Sequence, residues 1–463
     1  MGSRVRALSV THVRPTETTN TDDHTIKLSL FDTLFIALTP IRRLFFYHAD
    51  DLPPFPVLVH TLRSSLAATL AVFPPLAGKV AVSGEDDVVI DCSPSTISHG
   101  GVRFVEAEYA GDLRRLAAAA EHDAEAYAQL APALDVGKLP APALAVQVTR
   151  GADGGGGTGA GAVVVGVSMN HVVADGQALW EFIRAWAAAA RGGKSTAAGV
   201  TTPTFDRAAI NRYPGAEEVA RKFLRVFAPA LPTVNTFPEP DNTIQGRRTY
   251  LLSASQIQSL KHCISQHSDT IPAAVKPPPT STYAAVASLV WTSAVHAKNS
   301  LNHAGDDAYL MFAADCRARL RPPLPTAFFG NCVKSCYARA TVGELRGDGG
   351  TDGAAALAHA AAAVREAVRE QLEDPLGDAE RWLERHRALP PDRVVQIGAS
   401  NRFAAYETDF GWGNPARVEL ASVFVREFVA VVGAPGGGVQ VSVALDQDRM
   451  DGFEASFLSQ LHG

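Results

Sequence analysis

Charged residues are scarce in this chain of 463 residues, and their signs nearly balance. They make up 19% of the sequence, and 42 Lys and Arg stand against 48 Asp and Glu, which gives a formal net charge of −6. Proteins that follow nucleic acid along a whole face usually carry an excess of basic residues. The sequence therefore predicts no nucleic-acid partner, and an anionic ligand would need a local basic pocket.

Cysteines are also few, and their number is odd. Only Cys332 and Cys336 of the five cysteines lie close together, and a Cys-x-x-x-Cys pair without a second ligand pair is weak evidence for zinc. We expect neither a disulfide framework nor a metal site.

Long apolar runs are missing. No continuous stretch approaches the roughly 18 apolar residues of a membrane-spanning helix, and the first residues lack the apolar core of a secretory signal. These absences predict no membrane partner and a cytoplasmic location.

The hydrophobic content of 46% is enough for two or three cores, and its periodicity predicts an α/β protein. Apolar spacings of three to four predict helices over residues 54–73, 177–190 and 281–296, and an Ala-rich composition predicts helices over 113–130 and 354–371. Alternating or β-branched runs predict strands over residues 144–149, 162–169, 418–425, 427–432 and 439–445.

Composition divides the chain into two halves. Residues 196–249 are rich in Gly, Pro, Thr and charge, which is typical of a crossover between domains. We therefore predict an N-terminal domain over residues 1–195, a crossover linker over 196–249 with one short helix near residues 217–226, and a C-terminal domain over 250–463.

A glycine-rich stretch, residues 151–162, separates two of the predicted strands. Gly154, Gly156 and Gly159 formally satisfy G-x-G-x-x-G. The dinucleotide fingerprint must open a helix, however, and this stretch leads into another strand. We interpret it as a flexible loop.

Residues 171–176 (His-Val-Val-Ala-Asp-Gly) follow the second of these strands. His171 therefore lies where a buried strand ends, and Asp175 before Gly176 is a helix-start signal. Taken alone, such a pattern more often means a core histidine and an N-cap than a catalytic pair.

Residues 409–413 (Asp-Phe-Gly-Trp-Gly) place two glycines around an indole. Glycines at this spacing predict a turn whose backbone approaches a ligand or another segment closely. In isolation a purely structural turn is the simpler interpretation.

Together these two segments resemble the signature motifs of the plant BAHD acyltransferases. Residues 74–79, 315–320 and 329–332 are also similar to that family, so the resemblance spans nearly the whole chain. Within the family, residues 28–32 and 43–47 resemble most the subgroup that acylates sugars of flavonoid and phenolic glycosides. Asn170 departs from the pattern, because many members have a second His there.

The resemblance implies a fold, a reaction and partners. The fold would be two chloramphenicol-acetyltransferase-like domains, each a mixed β-sheet flanked by helices, with a channel at the domain interface. The reaction would move a malonyl or hydroxycinnamoyl group from a coenzyme A thioester to a hydroxyl of a phenolic or flavonoid glycoside. Acyl-CoA would be a co-substrate, no cofactor would be tightly bound, and the chain would be a monomer.

The resemblance also implies roles for the residues of the two motifs. His171 would be the general base, and Asp175 would orient it through an ion pair with Arg317. The indole N–H of Trp412 would either donate to the oxyanion or belong to a segment that only shapes the domain interface. The other members of that segment with a structural role would be Asp409, Gly411 and Gly413.

Coenzyme A ligands are harder to assign from the sequence. Thr280 and Ser281 lie near a predicted helix start and could donate hydrogen bonds to the pantetheine or phosphates. Three lysines lie near helix ends, but each is more typical of a solvated surface, and none is assigned: Lys261, Lys276 and Lys298.

Other functions stay open at this point. The acceptor could be another alcohol or an amine, or the chain could be a non-catalytic relative that binds a small molecule. A peptide-forming condensation domain shares the His-x-x-x-Asp-Gly core but lacks the Asp-Phe-Gly-Trp-Gly segment. A serine hydrolase is disfavoured because residues 166–170 lack the final Gly of G-x-S-x-G.

Overall fold

The computed structural model describes residues 3–16, 24–50, 52–152, 161–192, 202–241, 243–268, 279–298, 301, 303–347 and 353–462. The strands are β1 (Val5–Val13), β2 (Thr25–Lys27), β3 (Ile41–His48), β4 (Lys79–Ser83), β5 (Asp87–Asp91), β6 (Val102–Tyr109), β7 (Ala141–Pro142), β8 (Leu144–Gly151), β9 (Ala162–Met169), β10 (Gln245–Leu252), β11 (Asp307–Asp315), β12 (Val333–Thr341), β13 (Val394–Ser400), β14 (Arg417–Leu420), β15 (Phe428–Ala434) and β16 (Gly438–Asp446). The helices are α1 (Leu30–Thr33), α2 (Phe55–Val72), α3 (Pro94–His99), α4 (Leu113–Ala118), α5 (Ala124–Leu130), α6 (Gly176–Ala190), α7 (Ala208–Asn211), α8 (Ala216–Phe227), α9 (Ala254–Ser268), α10 (Thr282–Ala297), α11 (Val342–Arg346), α12 (Gly353–Gln371), α13 (Trp382–Ala388) and α14 (Gln447–His462).

These elements form two units, which are not contiguous in sequence. The first unit consists of Met1–Glu239, Pro322–Cys332 and Ala405–Phe424. The second consists of Pro240–Arg321, Val333–Ala404 and Val425–Gly463. The sequence predicted uninterrupted domains, whereas the structure assigns two late segments to the first unit. One of them carries the Asp-Phe-Gly-Trp-Gly turn, which the sequence division placed in the C-terminal domain.

The short helix predicted near residues 217–226 is observed as α8, but the stretch around it is not a separate linker. Within residues 202–239, α8 buries Val219, Phe223 and Phe227 in the first unit. Apolar side chains that repeat on one face and are removed from water make a packed helix rather than a spacer. At the other end of the predicted linker, β10 is already a strand of the second unit.

The first unit is built on a mixed six-stranded sheet in the order β1-β6-β8-β9-β3-β14. β6 and β8 run parallel and the other neighbours are antiparallel. Helices α2 and α6 pack against each other, and Trp186 of α6 donates its indole N–H to the backbone oxygen of Leu62 in α2. A smaller antiparallel sheet has the order β2-β5-β4-β7.

The second unit has its own mixed sheet, in the order β10-β16-β15-β13-β11-β12. The pairs of β13 with β15 and with β11 are parallel. Helix α10 is buried along nearly its whole length and packs against α9, α12 and α14. The predicted α/β class, with two mixed-sheet domains flanked by helices, is confirmed.

One helix is more apolar than the sequence analysis recognised. By length and composition α2, with 18 residues, could cross a membrane, and it is the one such helix in the described part of the chain. Leu58, Leu62, Leu66 and Leu70 of this helix are completely buried in the first unit. Burial of one face at a spacing of four is typical of a core helix in a folded domain.

The single helix predicted over residues 113–130 is wrong, because the structure has two. α4 ends at Ala118, and α5 begins only after Asp123, whose carboxylate accepts a hydrogen bond from the backbone N–H of Ala126. An aspartate that caps a new helix competes with continuation of the previous one. Helix propensity alone did not show this interruption.

Candidate active site

The loop that carries His171 follows directly from β9. The backbone N–H of Asn170 donates to Ala143 at 2.9 Å, and its side-chain oxygen accepts from the N–H of Val172 at 3.1 Å. A side-chain amide that binds the backbone two residues ahead fixes a tight turn. Asn170, which departs from the family pattern, therefore turns the chain at the exact point where the histidine is presented.

Asp175 is the N-cap of α6, as predicted. One carboxylate oxygen accepts from the N–H of Ala178 at 3.1 Å, and the other accepts from the N–H of Cys332 at 3.0 Å. The carboxylate thus joins the start of α6 to a segment far away in sequence. Its ion pair with Arg317 stays a prediction; within the second unit, the Arg317 guanidinium donates to Asp315 at 2.9 Å.

Asn331 holds the histidine loop from the other side. Its side-chain nitrogen donates to the backbone oxygens of His171 at 2.9 Å and Val172 at 3.0 Å, and to the Asp32 carboxylate at 3.0 Å. Asn331 and Asp32 are both completely buried. Since each of these bonds is shielded from water, the backbone of the loop has little freedom to move.

Arg207 completes this buried network. Its Nε donates to Asp32 at 3.3 Å, and its terminal nitrogens donate to the backbone oxygens of Phe329 at 2.9 Å and Val173 at 3.2 Å. The side chain is 2% exposed and that of Asp32 is 0% exposed. A buried charge pair is stable only when further hydrogen bonds satisfy both partners, and the loop carbonyls do so here. We call Asp32, Arg207 and Asn331 the loop-holding network.

The sequence analysis did not assign this network. Asp32, Arg207 and Asn331 are far apart in the chain, and Asp32 and Asn331 are 299 residues from each other. The only available signals were local: a Ser29–Asp32 capping box, here observed, and the similarity of residues 329–332 to the family.

The His171 ring lies between aromatic side chains. Phe35 stacks on it with 4.1 Å between ring centroids, and Phe424 meets it edge-on at 6.0 Å. Burial lowers the pKa of His171 below its usual value of 6.5, and this effect outweighs its own carbonyl, Asp175 and Asn331, which act in the opposite direction. The imidazole is therefore neutral at neutral pH, which is the form that can accept a proton.

Of the two ring nitrogens, Nδ1 is fully buried and makes no hydrogen bond to the described residues. The side chain as a whole is only half-buried. Any proton that His171 takes from a substrate must consequently arrive at Nε2.

The Asp-Phe-Gly-Trp-Gly segment is a tight turn. The carboxylate of Asp409 accepts from the backbone N–H groups of Gly411 at 2.7 Å and Gly413 at 2.9 Å. Both glycines have positive φ, +107° and +93°, which other residues rarely adopt. Phe410 is completely buried and packs edge-on against Trp186 at 4.8 Å. The structural roles predicted for this segment therefore have a geometric basis within the first unit.

Of the two roles predicted for Trp412, its position favours the structural one over that of an oxyanion donor. Its ring packs edge-on against Tyr47 at 6.0 Å, and Tyr47 pairs with Val163 at the start of β9. His171 follows the other end of β9, where Met169 pairs with Ile41. Six residue steps along β3 lead from Ile41 to Tyr47, about 20 Å at strand spacing.

The two ends of helix α6 also separate Trp412 from the His171 loop. Arg191, just beyond its C-terminal end, donates to the backbone oxygen of Asp409, whereas the histidine loop precedes its N-terminal end. The 15 residues of α6 span about 22 Å. The indole N–H is itself buried, without a hydrogen-bond partner among the described residues.

Replacement of Trp412 by phenylalanine is therefore expected to leave kcat within about threefold of wild type, since it removes no group that touches the reacting atoms. Loss of aromatic packing on Tyr47 should lower the melting temperature by a few degrees. Steady-state kinetics and thermal unfolding of the variant check both expectations. A drop in kcat of about 100-fold or more without loss of stability would restore the oxyanion role.

The predicted coenzyme A ligands stay predictions. Ser281 is the N-cap of α10, where its hydroxyl accepts from Ala284 at 3.1 Å. Thr280 is half-buried beside it. Lys298 is not a surface lysine, because it is 1% exposed and its ammonium donates to the backbone oxygens of Asp392 and Val394. Lys276 lies outside the described residues.

Two other expectations concern loops and metals. Residues 153–160 of the glycine-rich loop lie outside the described part of the chain, but the strands on both sides of it are observed as β8 and β9. Among the described residues, no group of three or more His, Cys, Asp and Glu side chains is placed to hold a metal ion.

Comparison with known families identifies the class of protein. Residues 4–459 match the model of the Transferase family. The chain therefore belongs to that family, the BAHD acyltransferases, whose members use acyl-CoA as a co-substrate.

Three individual proteins of known name are similar to this chain. The chain is 29% identical to the malonyl-CoA:anthocyanidin 5-O-glucoside-6''-O-malonyltransferase of Arabidopsis thaliana, over 98% of each chain. It is 26% identical to phenolic glucoside malonyltransferase 1 of Arabidopsis thaliana, over 97% of this chain and 96% of the relative. Among solved structures, vinorine synthase matches with a TM-score of 0.74 at 21% identity, over 98% of both chains, and shares the fold.

Proposed function

We propose that this enzyme transfers a malonyl or hydroxycinnamoyl group from a coenzyme A thioester to a sugar hydroxyl of a phenolic or flavonoid glycoside. The observation that carries the proposal is the His171 imidazole, which burial keeps neutral and the loop-holding network keeps in place. Relatives named for malonyl transfer to phenolic glucosides and anthocyanidin glucosides support the substrate class.

The chemistry follows from one proton acceptor and an activated acyl donor. Nε2 of His171 takes the proton of the acceptor hydroxyl as its oxygen attacks the thioester carbonyl carbon. The tetrahedral intermediate then collapses, the carbon–sulfur bond breaks, and the imidazolium returns its proton to the thiolate of coenzyme A. No nucleophile of the enzyme is needed, because the thioester is already reactive.

The surroundings of His171 serve this step in two ways. Phe35 covers one face of the His171 ring and Phe424 meets it edge-on, and burial of the ring keeps the pKa of the imidazole low. The hydrogen bonds from Asn331 to the carbonyls of His171 and Val172 fix the direction from which Nε2 meets the hydroxyl.

The direct test is release of the coenzyme A thiol by purified protein. Malonyl-, acetyl- and coumaroyl-CoA are each offered with a flavonoid glucoside, with the matching aglycone and without acceptor. We expect release that depends on the glucoside and is absent with the aglycone. Release with the aglycone but not with the glucoside would contradict a sugar hydroxyl as acceptor. Tight acyl-CoA binding with no turnover of any pair would favour a binding protein.

The proposed base also predicts a pH profile. Because only neutral imidazole accepts a proton, kcat/KM should be full above the pKa of His171 and fall as the pH drops through it. Burial lowers this pKa, so the acid limb should lie below pH 6.5. Steady-state kinetics from pH 4.5 to 8, with stability checked at each pH, measures the limb. An acid limb clearly above pH 6.5 would contradict a buried neutral base.

A further inference from the structure

Phe237, in the segment after α8, is the one aromatic residue of the described chain that is exposed. Its exposed fraction is 45%, whereas every other phenylalanine, tyrosine and tryptophan that the structure describes is buried or half-buried. Aromatic rings carry a large apolar surface, which proteins usually cover. A ring left open in this way is available to a ligand.

The backbone around Phe237 is fixed to the rest of the first unit. We call residues 234–239 the strap. The N–H of Phe237 donates to the backbone oxygen of Ala37 at 2.8 Å. At the end of the strap, the Glu239 carboxylate forms an ion pair with Arg42 at 2.6 Å. The exposed ring therefore stands on a segment that is held at two points.

The ring of Phe237 also has a free face. Phe227, the last residue of α8, packs edge-on against it, with 5.7 Å between centroids and 76° between the planes. No other aromatic ring of the described chain contacts it. The next residue, Pro238, restricts the backbone of Phe237 to extended conformations. A ring that is held in this way loses little freedom when a planar group stacks on it.

The first point of attachment leads to the base. The backbone N–H of Leu38 donates to the backbone oxygen of Phe35 at 3.1 Å, which closes a turn that contains Ala37. Ala37, which accepts from the N–H of Phe237, is thus two residues from Phe35, at most about 7 Å of chain. The ring of Phe35 stacks on His171.

The second point of attachment leads to the same place. Arg42, the ion-pair partner of Glu239, donates its backbone N–H to the hydroxyl of Ser422 at 2.7 Å. Two residues further along the chain is Phe424, whose ring meets His171 edge-on at 6.0 Å. Both attachments of the strap therefore lead to residues that contact the base.

A phenolic glycoside has two parts that such a site can bind. One is the sugar, which carries the hydroxyl to be acylated, and the other is an aromatic aglycone one sugar ring away. We propose that Phe237 stacks on the aromatic aglycone of the acceptor while a sugar hydroxyl of the same molecule lies at Nε2 of His171. This inference rests on the proposed acyl transfer and assigns a place to the part of the acceptor that is not acylated.

The proposed contact has a definite consequence for specificity. Stacking uses the ring face and needs no particular substituent on the aglycone. Phe237 would thus favour glycosides of phenols over glycosides of simple alcohols, without selecting one phenol.

The test compares Phe237→Ser with wild type on phenyl β-glucoside and methyl β-glucoside, which differ only in the aglycone. Affinities are measured by NMR titration without donor, and kcat/KM is then measured with the donor that the release assay identifies. We expect Phe237→Ser to lose about 3- to 10-fold in both quantities for phenyl glucoside, the usual size of an aromatic contact. Values for methyl glucoside should change less than twofold.

Two further variants separate stacking from structure. Phe237→Trp keeps an aromatic face and should keep the preference for phenyl glucoside. Val57→Ser removes another exposed apolar side chain of the first unit, 52% exposed on α2, and should change neither glucoside. The melting temperature of Phe237→Ser should stay within a few degrees of wild type. Equal losses for both glucosides would show that Phe237 only holds the strap, and equal affinity of wild type for both would also overturn the proposal.

A last arm concerns the other planar group in the reaction, the adenine of coenzyme A. The affinity for coenzyme A is measured by calorimetry for wild type and Phe237→Ser, and we expect no change. If Phe237→Ser weakens coenzyme A and leaves the preference between the glucosides intact, the stacked ring is adenine and the acceptor assignment is wrong. If wild type turns over no acyl-CoA, the proposed function fails, while the glucoside affinities still decide the role of Phe237.

Discussion

Replacing His171 by alanine is expected to lower kcat by roughly 10²- to 10⁴-fold, the usual contribution of a positioned general base. The attacking hydroxyl would then have to lose its proton to water, which is a much weaker base than imidazole. Initial rates of coenzyme A release, with donor and acceptor both saturating, measure the loss.

Two controls make this result specific. His48→Ala removes an exposed imidazole at the far end of β3 and should leave kcat unchanged. Added imidazole should restore part of the activity of His171→Ala, since it replaces the missing proton acceptor, and it should not affect wild type. Near-normal turnover by a correctly folded His171→Ala protein would eliminate this residue as the base.

The second large effect concerns the loop-holding network. Arg207→Met should lower the free energy of unfolding by about 3–5 kcal/mol, because the Asp32 carboxylate is then buried without its cation. The carbonyl oxygens of Val173 and Phe329 would lose their donors at the same time. Urea denaturation of the variant measures the loss, and Arg212→Met, an exposed arginine on the same stretch, is the matched control.

A double-mutant cycle tests whether the two charges act together. Asp32→Asn combined with Arg207→Met should be less destabilising than the sum of the two single changes, since the second removes a partner already lost. Exact additivity would show that the two residues stabilise the unit independently. In these variants kcat per folded molecule should also fall, because the loop that presents His171 is no longer held in place.

Local signals in the sequence predicted the elements next to the site well. The apolar spacing over residues 177–190 matches α6, observed as Gly176–Ala190, and the run over 162–169 matches β9. These patterns are reliable because a helix or strand packs one face against the core, which the spacing of its own residues reveals. The position of His171 at the end of a buried strand follows from them.

Contacts between distant segments could not be predicted in this way. Asn331 donates to Asp32 and to His171, but nothing in the spacing of the three residues shows that they meet. Trp412 shows the reverse case, because its motif left a chemical role and a structural role open. Only the register of β3 with β9 shows that the indole lies about 20 Å away along the strand.

The interrupted course of the first unit bears on how the chain folds during synthesis. β14 completes the sheet by pairing with β3, and Asn331 reaches Asp32, yet both segments are made only after Pro240–Arg321, the first stretch of the second unit. Domains commonly fold in the order in which they leave the ribosome. Here the earlier-made unit has to wait for β14, so the β3 edge of its sheet stays uncovered through much of translation, and Asp32 lacks its bond from Asn331 until that residue is made. A nascent chain stalled before residue 405 should therefore be sensitive to protease within residues 24–50, and one stalled with residue 424 outside the ribosome should be resistant there.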